Sequence, residues 1–173
     1  QLMLAGGVES MSRAPFVMPK AETAFGRSHA VYDTTIGWRF VNRLMKDLQG
    51  VDSMPETAEN VATDHRIERE ALDRRALASR LKAVAAQQSG SFDAEITPVT
   101  LPQKKGEPAV VTRDEHPRET SLDALGKLKG VVRPDGTVTA GNASGVSDGA
   151  CAVSIAGEGA AVRHGLTPRA RIV

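Results

Sequence analysis

The stretch Thr139-Ala-Gly-Asn-Ala-Ser-Gly-Val-Ser-Asp-Gly-Ala150 is the part of the chain best suited to holding a ligand. Its glycines and alanines leave the backbone free to approach another surface closely. Asn142, Ser144, Ser147 and Asp148 offer hydrogen-bonding groups that fix orientation. Two structures suit such a run, a loop lying along a ligand and a compact turn entering a strand, and the spacing leaves both open. It matches neither a Walker-type phosphate loop nor a dinucleotide fingerprint. Gly6-Gly7-Val8-Glu9-Ser10-Met11-Ser12 leaves an apolar run through two glycines. Strand-end loops of this kind often present active-site backbone, and a plain strand exit fits equally well. Cys151 sits in Ala-Cys-Ala-Val with no cationic neighbour, so it reads as inert packing and not as a nucleophile. His29, His65, His116 and His164 lack metal-ligand spacing and read as surface or capping residues. Arg113, His116 and Arg118 cluster among Asp114, Glu115 and Glu119, which suits a solvated face or a phosphate contact.

The elements that would position these residues follow from periodicity and punctuation. Gln1–Gly7 reads as a buried strand closed by glycines, and residues 8–31 as loop. Ile36, Phe40, Leu44 and Leu48 recur every four residues, predicting a helix from Asp33 that ends at Gly50. Ser53, Pro55 and Glu56 form a capping box with proline in the first turn, so a second helix starts there and continues through Ala58, Val61 and Ala62. Glu68–Gln88 is a long helix. Ile67, Ala71, Ala78, Leu81 and Ala85 fall within an arc of about 80°, and Leu72, Ala76 and Ala83 lie opposite, so two packing partners are expected. Ile96–Leu101 and Pro108–Thr112 read as hairpin strands around the basic turn Gln103–Gly106, with Pro98 and Pro102 favouring an edge position. Ser121 caps a short helix to Lys129. Val131–Ala140 brackets a Pro134-Asp135-Gly136 turn. Ala150–Ala156 is a strand, and Gly157–His164 is a short helix closed by Gly165.

The composition bounds the function classes. The chain has 173 residues, 40% hydrophobic and 25% charged, an ordinary folded composition. Lys and Arg number 22 against 21 Asp and Glu, for a net charge of +1, which argues against a broad nucleic-acid surface. No apolar run approaches the roughly 20 residues of a membrane span. One cysteine excludes an internal disulfide framework. Gln1–Ser12 lacks the basic start of a secretory leader, so a cytoplasmic location is expected. All aromatic side chains (Phe16, Phe25, Tyr32, Trp38, Phe40 and Phe92) precede residue 93. The chain also starts inside an apolar run and stops at Arg171-Ile172-Val173, so a piece of a longer protein is expected.

Three separated motifs then resemble one family. Gly6–Ser12, Thr57-Ala58-Glu59-Asn60, and Gly136–Gly145 with Asp148-Gly149-Ala150 occur in this order in thiolases. Ile36–Asn42 and Gly50–Thr57 resemble the 3-oxoadipyl-CoA branch, which makes succinyl-CoA and acetyl-CoA from 3-oxoadipyl-CoA and coenzyme A. The resemblance implies an α/β fold made of a helix-rich α+β loop domain and flanking strands of the first thiolase half. Residues 1–12 would end a first-half strand, 13–145 form the loop domain covering coenzyme A, and 146–173 return to the first half and begin the second. It implies coenzyme A contacts: Ser144 beside the pantetheine, Ala140 lining the same tunnel, and Arg118 near the nucleotide end. Met54 would border the acyl pocket, and Val132 would lie near the adenine side. Ser53 stands where acetoacetyl-CoA thiolases place histidine, which suits the oxoadipyl branch, while Ser147 and Gly130 depart from the usual asparagine and proline, and Gly130 is expected to loosen the turn at Lys129–Val131.

The family's nucleophilic cysteine lies upstream of this stretch, and its activating histidine, second cysteine and asparagine lie downstream. No catalytic residue and no metal ligand are therefore assigned here. No cofactor is implied, coenzyme A being a substrate. The implied partners are coenzyme A, acyl-CoA thioesters and further copies of the complete enzyme as a homotetramer, without nucleic acid or membrane. A stand-alone, non-catalytic module binding coenzyme A or acyl thioesters is the alternative, and a purely structural oligomerisation domain is a third reading.

Overall fold

The computed structural model describes residues 1–27 and 29–173. It divides into two units, one formed by residues 1–35 with 146–173 and the other by residues 36–145. In the first unit, β1 (Leu2–Glu9) pairs antiparallel with β6 (Gly149–Ala156), in register from Leu2↔Ala156 to Glu9↔Gly149. Gly6 is required here, because a Cβ would collide with the Cys151 carbonyl and Ala152 on the facing strand. Beyond the ribbon, a 3₁₀ turn at Met11–Arg13 is held by Asp148, whose carboxylate accepts from the Ser12 amide at 2.9 Å and from the Ser12 hydroxyl. These two bonds hold the Asp148 carboxyl below its usual range. α5 (Glu158–Arg163) buries Ala160 and Ala161 and ends at Gly165 with φ +63°.

Three expectations change in this unit. The first strand is exposed along its whole length, with Leu4 80% and Val8 81% accessible. Among the described residues the ribbon has only two strands, and no third strand extends it. Cys151 is exposed for the same reason, not packed. The stretch read as loop from 8 to 31 contains the end of β1 and the 3₁₀ turn. It also contains β2 (Phe16–Val17), which pairs with β3 (Tyr32–Asp33) across a gap too long for a hairpin signal.

The second unit begins with α1 (Arg43–Gln49), capped by the Asn42 side chain on Met45 N and ended by Gly50 with φ +72°. The helix expected from Asp33 starts ten residues later. Gly37 and Phe40 both have positive φ, which no α-helix admits, and Arg39 folds back to donate to the Ile36 and Trp38 carbonyls. α2 (Met54–Asp64) opens on the expected capping box: Glu56 accepts from Ser53 N at 2.7 Å, and Glu56 N donates to the Ser53 hydroxyl. α3 (Arg69–Gln88) covers the expected span, but only one of its two apolar stripes is covered. Leu72, Ala76 and Ala83 are half-buried, whereas Ala71, Ala78, Leu81 and Ala85 are exposed. Periodicity reports which face is apolar and not what covers it.

β4 (Val99–Leu101) and β5 (Ala109–Val111) form the expected hairpin, with Gly106 at φ +86° in its tip. Ser121 caps α4 (Leu122–Gly126), which packs on α3 and buries Leu125. Residues 130–139 close a turn through Val131 N to Val138 O at 2.9 Å and Gly136 N to Arg133 O at 3.0 Å. Gly130 tightens this turn instead of loosening it, because a Cβ there would collide with the Arg133 carbonyl. The buried apolar residues of this unit are Ala62, Leu125 and Val138, and polar Thr139, Glu59 and Asp73 are buried with them.

Candidate functional site

Thr139 is fully buried, and the turn it opens is organised by its own atoms. Its amide donates to Asn142 Oδ1 at 2.8 Å, its carbonyl accepts from Asn142 N and Ala143 N, and its hydroxyl accepts from Gly141 N. Three side chains fasten this turn to the helices. Glu59 of α2 accepts from Val138 N at 2.7 Å, Thr137 N at 3.1 Å and the Thr137 hydroxyl at 3.0 Å. Asp73 of α3 accepts from Asn142 Nδ2 at 2.9 Å and from Arg69 Nε at 2.7 Å. Arg80 of α3 donates to the Gly141 carbonyl at 3.0 Å. Both acidic residues are buried. Burial alone pushes the Glu59 carboxyl up. The hydrogen bonds from Val138 and Thr137, aided by the Arg133 charge, outweigh that and hold it below the usual glutamate range.

The turn forms one wall of an open cleft of about 380 Å³, with α3 and the segment His116–Pro117 supplying the rest. Ser144 lies on the wall. Ala140 is exposed and directly precedes the wall segment Gly141–Ser144. Arg118 is exposed and directly follows Pro117 at the rim. Met54, exposed at the start of α2, and Val132, half-buried in the 130–139 turn, are not part of this wall. Arg75, Arg80 and His116 face the cleft, and among the described residues no carboxylate lines it. The cleft therefore offers cationic and hydroxyl groups, the set that suits an anionic ligand with amides to be oriented.

Arg113, from the basic cluster, instead donates to Gln87 Oε1, and Gln87 donates to the Asp114 carbonyl, which ties this segment to α3. His65 and His164 sit at helix C-caps as read from the sequence. Among the described residues, no three His, Cys, Asp or Glu side chains gather as a metal set. No helix among them is long and apolar enough to cross a membrane.

Sequence reasoning missed Arg75, Arg80, Glu59 and Asp73. The signals were present: Arg80 interrupts the Leu72, Ala76, Ala83 stripe, and Glu59 stands three residues before Ala62 on the buried side of α2. A charge on an apolar face that does become buried requires partners.

Comparison with known proteins bears on the same residues. The chain is 60% identical over 174 aligned positions to the beta-ketoadipyl-CoA thiolase of Pseudomonas putida, covering all of this chain and 43% of that protein. It is 58% identical to the 3-oxoadipyl-CoA/3-oxo-5,6-dehydrosuberyl-CoA thiolase of Escherichia coli K12, covering 99% of this chain and again 43% of the relative. The crystal structure of human mitochondrial 3-ketoacyl-CoA thiolase in complex with CoA superposes with a TM-score of 0.77 at 40% identity, over 96% of this chain and 40% of that one. The chain thus spans less than half the length of the relatives it matches. The family model for the N-terminal domain of thiolases matches residues 1–159, which takes in β1, the turn held by Glu59 and Asp73, and β6, and the chain belongs to the thiolase family.

Proposed function

We propose that this chain is the coenzyme A-covering part of an acyl-CoA acyltransferase that cleaves 3-oxoadipyl-CoA with coenzyme A. In that reaction the bond between C2 and C3 breaks. The C3 acyl carbon ends as a thioester on the incoming sulfur, giving succinyl-CoA, and C2 takes a proton, giving acetyl-CoA. The observation that carries the reading is the similarity along the whole chain to thiolases named for this substrate. The cleft supports it: Arg75, Arg80 and His116 suit the phosphate-rich end of coenzyme A, and the Ser144 hydroxyl suits a pantetheine amide. Ala140 and Arg118, each next in sequence to a lining residue (Gly141 and Pro117), would extend the contact. Met54 would border the acyl group and Val132 the adenine.

Within the described residues the only cysteine, Cys151, is an exposed strand residue with no base beside it. The reacting thiol and its base are supplied by other parts of the complete enzyme. The test is thiolysis by the complete enzyme, with succinyl-CoA quantified after separation, against acetoacetyl-CoA as the competing substrate. A kcat/KM for 3-oxoadipyl-CoA well above that for acetoacetyl-CoA is expected. Turnover of acetoacetyl-CoA alone would overturn the acyl assignment, and turnover of neither would overturn the acyltransferase reading.

A further inference from the structure

We propose that Glu59 is the positioning residue for the ligand-facing turn, fixing Ala140 and Ser144 where coenzyme A meets them by holding Thr137 and Val138 against α2. The inference rests on the coenzyme A reading above. Glu59 is buried and faces the turn from a different helix, 78 and 79 residues away in sequence. Its two carboxylate oxygens take three donors: Oε1 takes the Val138 amide, and Oε2 takes the Thr137 amide and hydroxyl. A carboxylate is the one side chain of this length that only accepts at both oxygens. Glutamine would turn an amide NH₂ toward one of the two backbone N–H groups and leave that pair of donors facing each other.

The two residues held are directly followed by Thr139, whose amide, carbonyl and hydroxyl all define the turn from Gly141 to Ala143. A shift at Thr137–Val138 is therefore transmitted to Ala140 and Ser144. Asp73 grips the other side through Asn142, and Arg80 grips Gly141. Loss of Glu59 is thus expected to displace the turn, not to unfold it. Gly136 shows how closely the carboxylate is seated, since a Cβ at that position would collide with Glu59 Oε1.

The experiment compares the complete enzyme with its Glu59→Gln and Thr137→Val variants, reading coenzyme A affinity by titration calorimetry and KM and kcat in the thiolysis assay. Glu59→Gln should weaken coenzyme A binding about tenfold and raise its KM alike while kcat stays within about threefold, because the reacting groups are untouched. Thr137→Val removes one of the three donors without a buried charge change, so it should fold and show a smaller shift in the same direction. Unchanged affinity in both variants would overturn the positioning role. An equal fall in kcat and kcat/KM would overturn it as well, since the loss would then lie in the chemistry. Failure of the unsubstituted enzyme to bind coenzyme A would instead overturn the functional reading on which the inference rests.

Discussion

Replacing Asp73 by alanine tests whether the polar interior of residues 36–145 holds that unit together. The Asp73 carboxylate is 4% exposed and its Arg69 partner 25% exposed. Breaking a buried ion pair by removing one member costs about 3–5 kcal/mol, because the remaining charge is left uncompensated. Arg69 keeps its bond to the Leu125 carbonyl and some access to water, which favours the lower end, about 3 kcal/mol. Asn142 loses one acceptor but keeps the Thr137 carbonyl, adding about 0.5–1.5 kcal/mol. The expected loss is therefore about 3.5–4.5 kcal/mol, against a total of about 5–15 kcal/mol for a folded domain. Asp73→Asn keeps an acceptor and loses the charge, so it should fall roughly halfway. The assay is urea unfolding of the 173-residue chain at two protein concentrations, followed by far-ultraviolet circular dichroism and Trp38 fluorescence. At an m-value of about 2 kcal/mol/M the midpoint should drop by about 1.8–2.2 M in Asp73→Ala with m unchanged. A midpoint within about 0.3 M of the unsubstituted chain would refute the reasoning. So would purely additive losses in Asp73→Ala and Asn142→Ala, since residues sharing a hydrogen bond should couple by about 0.5–3 kcal/mol.

In the complete enzyme, Ser144→Ala and Arg118→Ala should each raise KM for coenzyme A, by up to the roughly tenfold or more that a lost charge-assisted bond implies, with kcat nearly kept; an unchanged KM would remove that residue from the proposed contact. The Glu59 carboxyl is held below its usual range in the folded state, so its contribution to stability is full above the unfolded glutamate value. That contribution is lost as the pH falls through the depressed folded value. Glu59→Gln should accordingly flatten the acid limb of a stability–pH curve, and an unaltered limb would count against the assignment. Gly130→Ala should destabilise by about 1–3 kcal/mol, read as a lowered urea midpoint, because the added methyl meets the Arg133 carbonyl and not a movable side chain. The isolated 173-residue chain should self-associate at micromolar concentration in size-exclusion chromatography with light scattering, because Leu4, Val8, Val153 and Ile155 stand exposed on an uncovered ribbon; a sharp peak at monomer mass would refute this.

The features legible in the sequence were those whose causes lie within one turn or one hairpin. Ser53, Pro55 and Glu56 act on each other across three residues, and α2 starts where they put it. Gly50 and Gly165 stop α1 and α5 through positive φ values that glycine admits freely. The features that were not legible depend on partners far along the chain. β2 and β3 are two residues each, and only their pairing makes them strands. Phe40 takes a left-handed conformation that no propensity suggests, so the apolar period through Ile36 and Phe40 belongs to a folded-back turn and not to a helix. The cationic cleft was not legible as a site either, because Arg75 and Arg80 line it only once the 141–144 segment arrives beside them from some sixty residues downstream.

The small, polar run from Thr139 left two readings open, a loop along a ligand and a compact turn, and the positions divide between them. Gly141 serves the turn, because a Cβ there would collide with Leu125 and Leu128, so the close approach is to the protein's own core. Asn142 serves it too: both ends of its amide are engaged, by Thr139 N on one side and by Asp73 and the Thr137 carbonyl on the other. Asp148, in the other unit, is engaged by Ser12. Gly145 stands where the His116 ring would meet any Cβ, so the missing side chain leaves room for that histidine beside the segment. Ser144, the residue proposed to meet the ligand, is exposed on the cleft wall and follows Gly141, Asn142 and Ala143, each held by a hydrogen bond. Such an arrangement lowers the ordering cost of binding a ligand, because the backbone that carries Ser144 is already shaped before it arrives. It also explains why two buried carboxylates, costly to desolvate on their own, sit behind a short loop of small residues: the loop has almost no side-chain bulk with which to hold its own shape.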